Sequence, residues 1–350
     1  MHHASAERAG IMAAGKTRRW TSLTAAGAAA ALMTGCAGGG EDQLGFVGFA
    51  VPAEANSAVF SAFTETPEGE GLTKSDSYGA SGDQSRAVAN GQPADFVHFS
   101  IEPDVTRLVD EGLVAEDWND NAWNGYISDS VVVLVVREGN PKDIQDWEDL
   151  ARDDVEVVTP NPGSSGAARW NILGAYLSQI QAGGSEEEAV GFTEDVVGNI
   201  VSFPASGRDA TTSFLDGTGD VLISYENEAI LGLQQGEEYD YIVPDRSLLI
   251  QNAAAVPEGS SEQAEDFLEF AVSPEGQQIY TEFGFRPIPH VADEVELGEI
   301  EGANDPSDPF PEIEHLATID GDLGGWEQVV DDFFDEDGII TRITEESGLN

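Results

Sequence analysis

Three short stretches share a construction suited to one kind of chemistry. "YGASGDQSRAV" places Ser81 and Gly82, "TPNPGSSGAARWN" places Ser165, Gly166 and Ala167, and "PASGRDATTSF" places Ser206 and Gly207, each at the start of a helix-like run. The first N–H groups of a helix have no partner inside it and lie at the positive end of its dipole, so they can hold an anion. A serine at that point can cap, and a glycine or alanine lets a ligand touch the backbone. Pro160 and Pro162 keep the second approach extended. One such entrance ordinarily only caps its helix. Three of them, each after a strand-like run, point to an anion held at the carboxyl ends of sheet strands.

Other chemistries are less well served. Neither Ser81 nor Ser165 lies in G-x-S-x-G, and no neighbouring histidine marks a base, so a serine-dependent enzyme is the weaker alternative. His98, His290 and His315 show no metal spacing and read as structural or surface residues. "DGDLGG" at 320–325 and "DEDG" at 335–338 lack the ligand ladder of a calcium loop. Cys36 is the sole cysteine, which removes disulfides and thiolate metal sites from consideration. No cofactor and no metal is expected. Arg169 and Arg208, just beyond two entrances, are expected to pair with acids or carbonyls, and Asp83 to complement the dipole of its helix. Trp118, Trp123, Trp147, Trp170 and Trp326 read as packing residues.

The elements that must position these entrances are legible as an alternation. "GFVGFAV" leads to an amphipathic run over 53–63, "ADFVHFS" to "EPDVTRLVDEGL", "VEVVTP" to "ARWNILGAYLSQI", and "GDVLISY" to "ENEAILGL". This predicts an α/β fold with mainly parallel sheets. "VVVLVVR" has no polar alternation and predicts a strand buried on both faces, and "SSEQAEDFLEFAVSPEGQQIYTEF" predicts late helices. The chain has 350 residues, 40% of them hydrophobic, enough for one large or two medium domains. Its 66 acidic against 15 basic residues give a net charge of −51, which argues against nucleic acid and anionic lipid as partners. A scattered acidic, lysine-poor surface suits high salt, where screening over about 3 Å removes most self-repulsion.

The N-terminus reads as an address. Lys16, Arg18 and Arg19 precede an alanine-rich apolar stretch too short for a comfortable membrane span, which ends in "LMTGC". Residues 1–35 are expected to be a signal peptide, exported by the general or the twin-arginine route, and 36–43 a flexible tether. The cysteine motif resembles a bacterial lipobox, implying a lipid anchor on Cys36 at the outer face of the cell membrane.

In order along the chain, "SYGASGDQ", "GNPKDIQDWEDL", "VTPNPGSSGAARWN", "GDVLISYENEA", "SPEGQQIY", "FRP" and "TID...GGW" resemble the sulfate-binding proteins of bacterial ABC importers. The similarity spans roughly Leu44 to Ile343. It implies a two-lobed receptor of periplasmic-binding-protein type II, each lobe a mainly parallel sheet flanked by helices and hinged by crossover strands. Such a receptor closes on a dehydrated sulfate or thiosulfate and hands it to the permease subunits of an ABC transporter. Carried over by position, it implies backbone donors at Ser81 and Gly207, the Ser165 hydroxyl with the N–H groups of Gly166 and Ala167, and a side-chain donor at Tyr225. Tyr225 stands where the family has a tryptophan, and Val51-Pro52 where it has Asp-Pro, so Val51 keeps its backbone donor. A fully ionised sulfate only accepts hydrogen bonds, and a pocket of donors suits it over hydrogen phosphate.

The expected boundaries are a first lobe over 44–130, a second over 131–242, and a return to the first lobe over 243–350 with C-terminal helices packing across both. Hinge strands are expected near "VVVLVV" and "YIVPD". The alternatives within binding are a receptor for molybdate or phosphate, or an anion sensor that serves no transporter.

Overall fold

A computed structural model describes residues 43–348. The predicted signal peptide, most of the tether and Cys36 lie outside the described residues. From its N-terminal end the chain forms β1 (Gln43–Phe49), α1 (Ala53–Phe63), β2 (Thr73–Gly79), α2 (Ser81–Ala89), β3 (Phe96–Phe99), α3 (Glu102–Asp110) and the long β4 (Tyr126–Arg137). Then come β5 (Val157–Val158), α4 (Gly166–Gln181), α5 (Glu186–Gly198), β6 (Ile200–Ser202), α6 (Gly207–Leu215), β7 (Val221–Tyr225) and α7 (Glu226–Gln234). The chain continues through β8 (Tyr239–Ile242), β9 (Arg246–Ala255), α8 (Glu262–Val272), α9 (Pro274–Glu282) and β10 (His315–Ala317), followed by short C-terminal helices.

The strands follow the order β2-β1-β3-β9-β4-β7-β5-β6, with β10 beside β9 and β8 beside β4. β1 runs parallel to β2 and β3, and β5 parallel to β6 and β7. Every antiparallel pair involves β4 or β9. These two strands join a group of β-α units at each end: β4 pairs with β9 through Tyr126–Val131, then with β7 and β8 through Val132–Arg137. The crossing partner of β4 is thus β9, which begins just after "YIVPD"; Tyr241 and Ile242 of that motif belong to β8.

β4 shows why its sequence lacks alternation. Val131, Val133 and Val135 pack with Phe214, Leu222, Tyr239 and Tyr241, whereas Val132, Leu134 and Val136 face Trp147, Trp170 and Leu173. Successive side chains point to opposite faces of a strand, so two cores demand apolar residues at every position. At the other end Phe46 stacks against Phe60, Phe96 and Phe267 with ring centroids 4.8–5.3 Å apart. β2, "TKSDSYG", lies at the edge of the sheet with none of its residues fully buried, which is why its sequence is polar. No helix among the described residues is long and apolar enough to cross a membrane.

Candidate functional site

Each strand of the two parallel groups is followed beyond its carboxyl end by a helix: α1 after β1, α2 after β2, α3 after β3, α4 after β5, α6 after β6 and α7 after β7. Because the strands within each parallel group share a direction, these starts collect on one side of each group. Ser81 is the first residue of α2, Ser165 the N-cap of α4 with Gly166 and Ala167 as its first turn, Gly207 the first residue of α6, and Tyr225 the N-cap of α7. Val51 sits in the turn between β1 and α1 and is buried.

Close contacts bring all seven together. The Gly82 N–H donates to the Ser164 carbonyl at 2.9 Å, tying the start of α2 to the approach of α4. A Cβ built on Gly166 would lie 2.7 Å from both Cβ and Oγ of Ser100, and one on Gly207 would lie 3.3 Å from Val51 Cγ2 and 3.5 Å from Ala167 Cβ. Ser100 Oγ is 2.8 Å from Tyr225 Oη. The Ser100 N–H donates to Ser81 Oγ at 2.9 Å, and the Ser100 carbonyl accepts from Trp170 Nε1 at 2.8 Å and Asn252 Nδ2 at 2.9 Å. Ser100 is therefore the junction of the cluster, and sequence reasoning missed it. The signal was present: Ser100 closes the strand-like "ADFVHFS" immediately before a helix, but no glycine follows to draw attention to it.

The amides at this cluster are in an uncommon state. Among the described residues, the N–H groups of Val51, Ser81, Gly166, Ala167 and Gly207 make no hydrogen bond to the protein. Ser165 makes no side-chain cap bond to α4, and α1, α2 and α7 likewise begin without one. Ser206 does cap α6, accepting from Asp209 N. Val51, Ser81, Ser165, Gly166 and Ala167 are buried, and a buried N–H without an acceptor costs about 1–3 kcal/mol. An acceptor placed among them would recover that cost at several points together.

The charges nearby cancel locally. Ser81 Oγ donates to Asp104 Oδ2 at 2.6 Å, and Asp104 is paired with Arg107 at 2.8 Å. Arg208 bridges Glu54 of α1 and Glu228 of α7, each at 2.8 Å, and also donates to the Val51 carbonyl at 3.3 Å. Asp83, in the first turn of α2, pairs with Arg86 one turn further on. Arg169, expected to pair with acids or carbonyls, meets no acid at ion-pair distance among the described residues; its guanidinium instead lies 4.6 Å from the centroid of the Phe334 ring, and burial lowers its pKa. Burial drives the Tyr225 phenol well above its usual range, so it stays protonated as a neutral hydroxyl. His98 is buried between Asn56 and Ser128, and desolvation pushes it down to about 3, a neutral packing residue. Trp147 and Trp170 are core residues, and Trp326 packs edge-on against Trp170 at 4.8 Å. No group of three or more metal-ligating side chains occurs among the described residues.

The arrangement offers a dianion five amides and several hydroxyls within a neutral shell. The chain matches the bacterial extracellular solute-binding proteins over residues 48–286. It is 38% identical to the sulfate-binding protein of Synechococcus elongatus, with 93% of this chain and 97% of that protein covered. The thiosulfate-binding protein of Pseudomonas aeruginosa is 32% identical, with 81% and 86% covered. Among solved structures, the sulfate-binding protein SubI from Mycobacterium tuberculosis H37Rv superposes with a TM-score of 0.77 at 42% identity, covering 84% of this chain and 99% of that one. The periplasmic binding protein AfuA from Actinobacillus pleuropneumoniae, at 16% identity and a TM-score of 0.64, shares the fold. The chain therefore belongs to the bacterial extracellular solute-binding protein family, in the branch that holds the sulfate- and thiosulfate-binding proteins.

Proposed function

We propose that this protein is an extracytoplasmic receptor that captures sulfate and delivers it to the permease of an ABC importer. The observation that carries the reading is the set of unpaired amides at Val51, Ser81, Gly166, Ala167 and Gly207, gathered around Ser100 with the hydroxyls of Ser165 and Tyr225. Sulfate is an acceptor at every oxygen, so a site built from donors matches it, while hydrogen phosphate would leave one proton without an acceptor. Charge-assisted hydrogen bonds contribute about 1.5–3 kcal/mol each, so five to seven support micromolar or tighter binding after ordering costs. Oriented amides do this without a lysine or arginine, and the acids nearest the entrances carry arginine partners.

Binding rather than catalysis fits the hydroxyls. Ser81 is committed to Asp104, and the nearest buried histidine, His98, is held by Asn56 and Ser128. The two lobes correspond in this reading to residues 44–130 with 243–350, and 131–242, with closure stabilised only as far as the anion binds the closed form better. A signal peptide over residues 1–35 would direct export, and after its cleavage a lipid anchor on Cys36 would hold the receptor outside the membrane beside its permease. Thiosulfate is the second reading, favoured by the 32% identity to a thiosulfate-binding protein.

Calorimetric titration of the protein with sulfate, thiosulfate, molybdate and phosphate, in chloride at high ionic strength after stripping bound anions, tests this. Saturable sulfate binding with phosphate silent is the expected result. Phosphate or molybdate binding in preference to sulfate refutes it.

A further inference from the structure

Ser100 and Tyr225 lie at the centre of the cluster, and their hydrogens can be counted. Each hydroxyl owns one hydrogen and can accept two. At 2.8 Å one of the two donates to the other, leaving one hydrogen for a third group. The surroundings decide which. Asn252 is engaged at both ends of its side chain, Nδ2 donating to the Ser100 carbonyl at 2.9 Å and Oδ1 accepting from Ser128 Oγ at 3.1 Å. Ser100 Oγ is the one acceptor within hydrogen-bond distance of the Tyr225 hydroxyl among the described residues. A phenol is also the stronger acid of the two and the better donor, while an alkyl hydroxyl is the better acceptor. Ser100, for its part, is fixed on three sides: its N–H on Ser81 Oγ, its carbonyl under Trp170 Nε1 and Asn252 Nδ2. The one group of Ser100 left to act outward is its hydroxyl hydrogen, and that oxygen lies against the first residue of α4, where any Cβ on Gly166 would strike it.

Resting on the anion-receptor reading, we propose that Ser100 delivers the side-chain hydrogen bond to the bound anion and that Tyr225 is a positioning residue behind it, donating to Ser100 Oγ and polarising it. A hydroxyl that accepts a hydrogen bond becomes a better donor, so the pair acts as a short relay aimed at the anion. This assigns to Ser100 a role in affinity that the Ser-Gly entrances do not indicate, and moves Tyr225 out of direct contact.

The test is sulfate titration of the unaltered protein, Ser100→Ala, Tyr225→Phe and the double variant, each checked for an intact thermal transition. Ser100→Ala should weaken sulfate binding about ten- to a hundredfold, the loss of one charged hydrogen bond. Tyr225→Phe should weaken it only about two- to fivefold, and should add nothing in the Ser100→Ala background, because it acts through Ser100. A packing role for Tyr225 would persist in the double variant and overturns the relay. Tyr225→Phe losing as much as Ser100→Ala, or more, overturns it too, since the phenol would then touch the anion itself. Should Ser100→Ala fail to fold, Ser100→Cys keeps the volume with a weaker donor: an intermediate loss supports the assignment and unaltered affinity overturns it. If the unaltered protein ignores sulfate, the receptor reading fails and this assignment with it; sulfate binding with the wrong order of losses overturns the assignment alone.

Discussion

Replacing Gly166 with alanine adds one methyl group at the tightest point of the cluster. That Cβ would lie 2.7 Å from Cβ and Oγ of Ser100 and 3.2 Å from Ile101 Cγ1. Real Cβ atoms do not approach side chains below 3.0 Å, and Ser100 is held by three backbone hydrogen bonds, so it cannot swing aside cheaply. The start of α4 must retreat from Ser100, or Ser100 must leave its partners. Overpacking of this kind costs about 1–3 kcal/mol of stability, slightly offset by the poor helix propensity of glycine. The effect on binding should be larger, because the displaced segment carries the amides of Gly166 and Ala167 as well as the Ser165 hydroxyl. Losing one or two charged hydrogen bonds at about 1.5–3 kcal/mol each corresponds to a weakening of about tenfold to twenty-thousandfold. Calorimetric titration with sulfate, with the thermal midpoint measured on the same sample, reads both quantities. A folded Gly166→Ala protein that binds sulfate within twofold of the unaltered protein would refute the placement of α4 in the site.

Gly191 supplies the contrast: a Cβ there meets nothing within 4 Å in the interior of α5, so Gly191→Ala should raise stability by about 0.5–1 kcal/mol, read as thermal midpoint, with sulfate affinity unchanged. Arg208→Met leaves Glu228 buried without its cation, and chemical denaturation should show a loss toward the lower end of the roughly 3–5 kcal/mol typical of a broken buried pair, because Arg208 is itself partly exposed. Asp129 on β4 is fully buried and desolvation raises it to about 8, so the folded protein holds a proton there that the unfolded chain releases near pH 4. Stability is then fullest below about pH 4 on this account and falls as pH rises toward 8; Asp129→Asn should flatten that slope in denaturation curves measured across the range.

Much of this architecture was legible because the sequence states it locally. The unbroken valines of β4 announced a strand between two cores, and the Ser-Gly turns announced open helix starts where strands end. What was hidden depends on distant partners. β2 is held as a strand by β1, which pairs with all seven of its residues, and the polar sequence "TKSDSYG" does not name that partner. Ser100 becomes the junction because Ser81, Trp170, Tyr225 and Asn252, separated from it by 19 to 152 positions, converge on one residue. Arg208 was expected to pair with acids, and it does, but the identity of Glu54 and Glu228 as partners required the fold to bring α1, α6 and α7 together.

The central claim, that backbone amides at helix starts bind the anion, is tested most directly by titrating the isotopically labelled protein with sulfate and following its amide resonances. The account predicts large downfield proton shifts and slowed exchange at Val51, Ser81, Gly166, Ala167 and Gly207, saturating together at one equivalent. Saturable shifts confined to other residues, with these five amides unmoved, would contradict it.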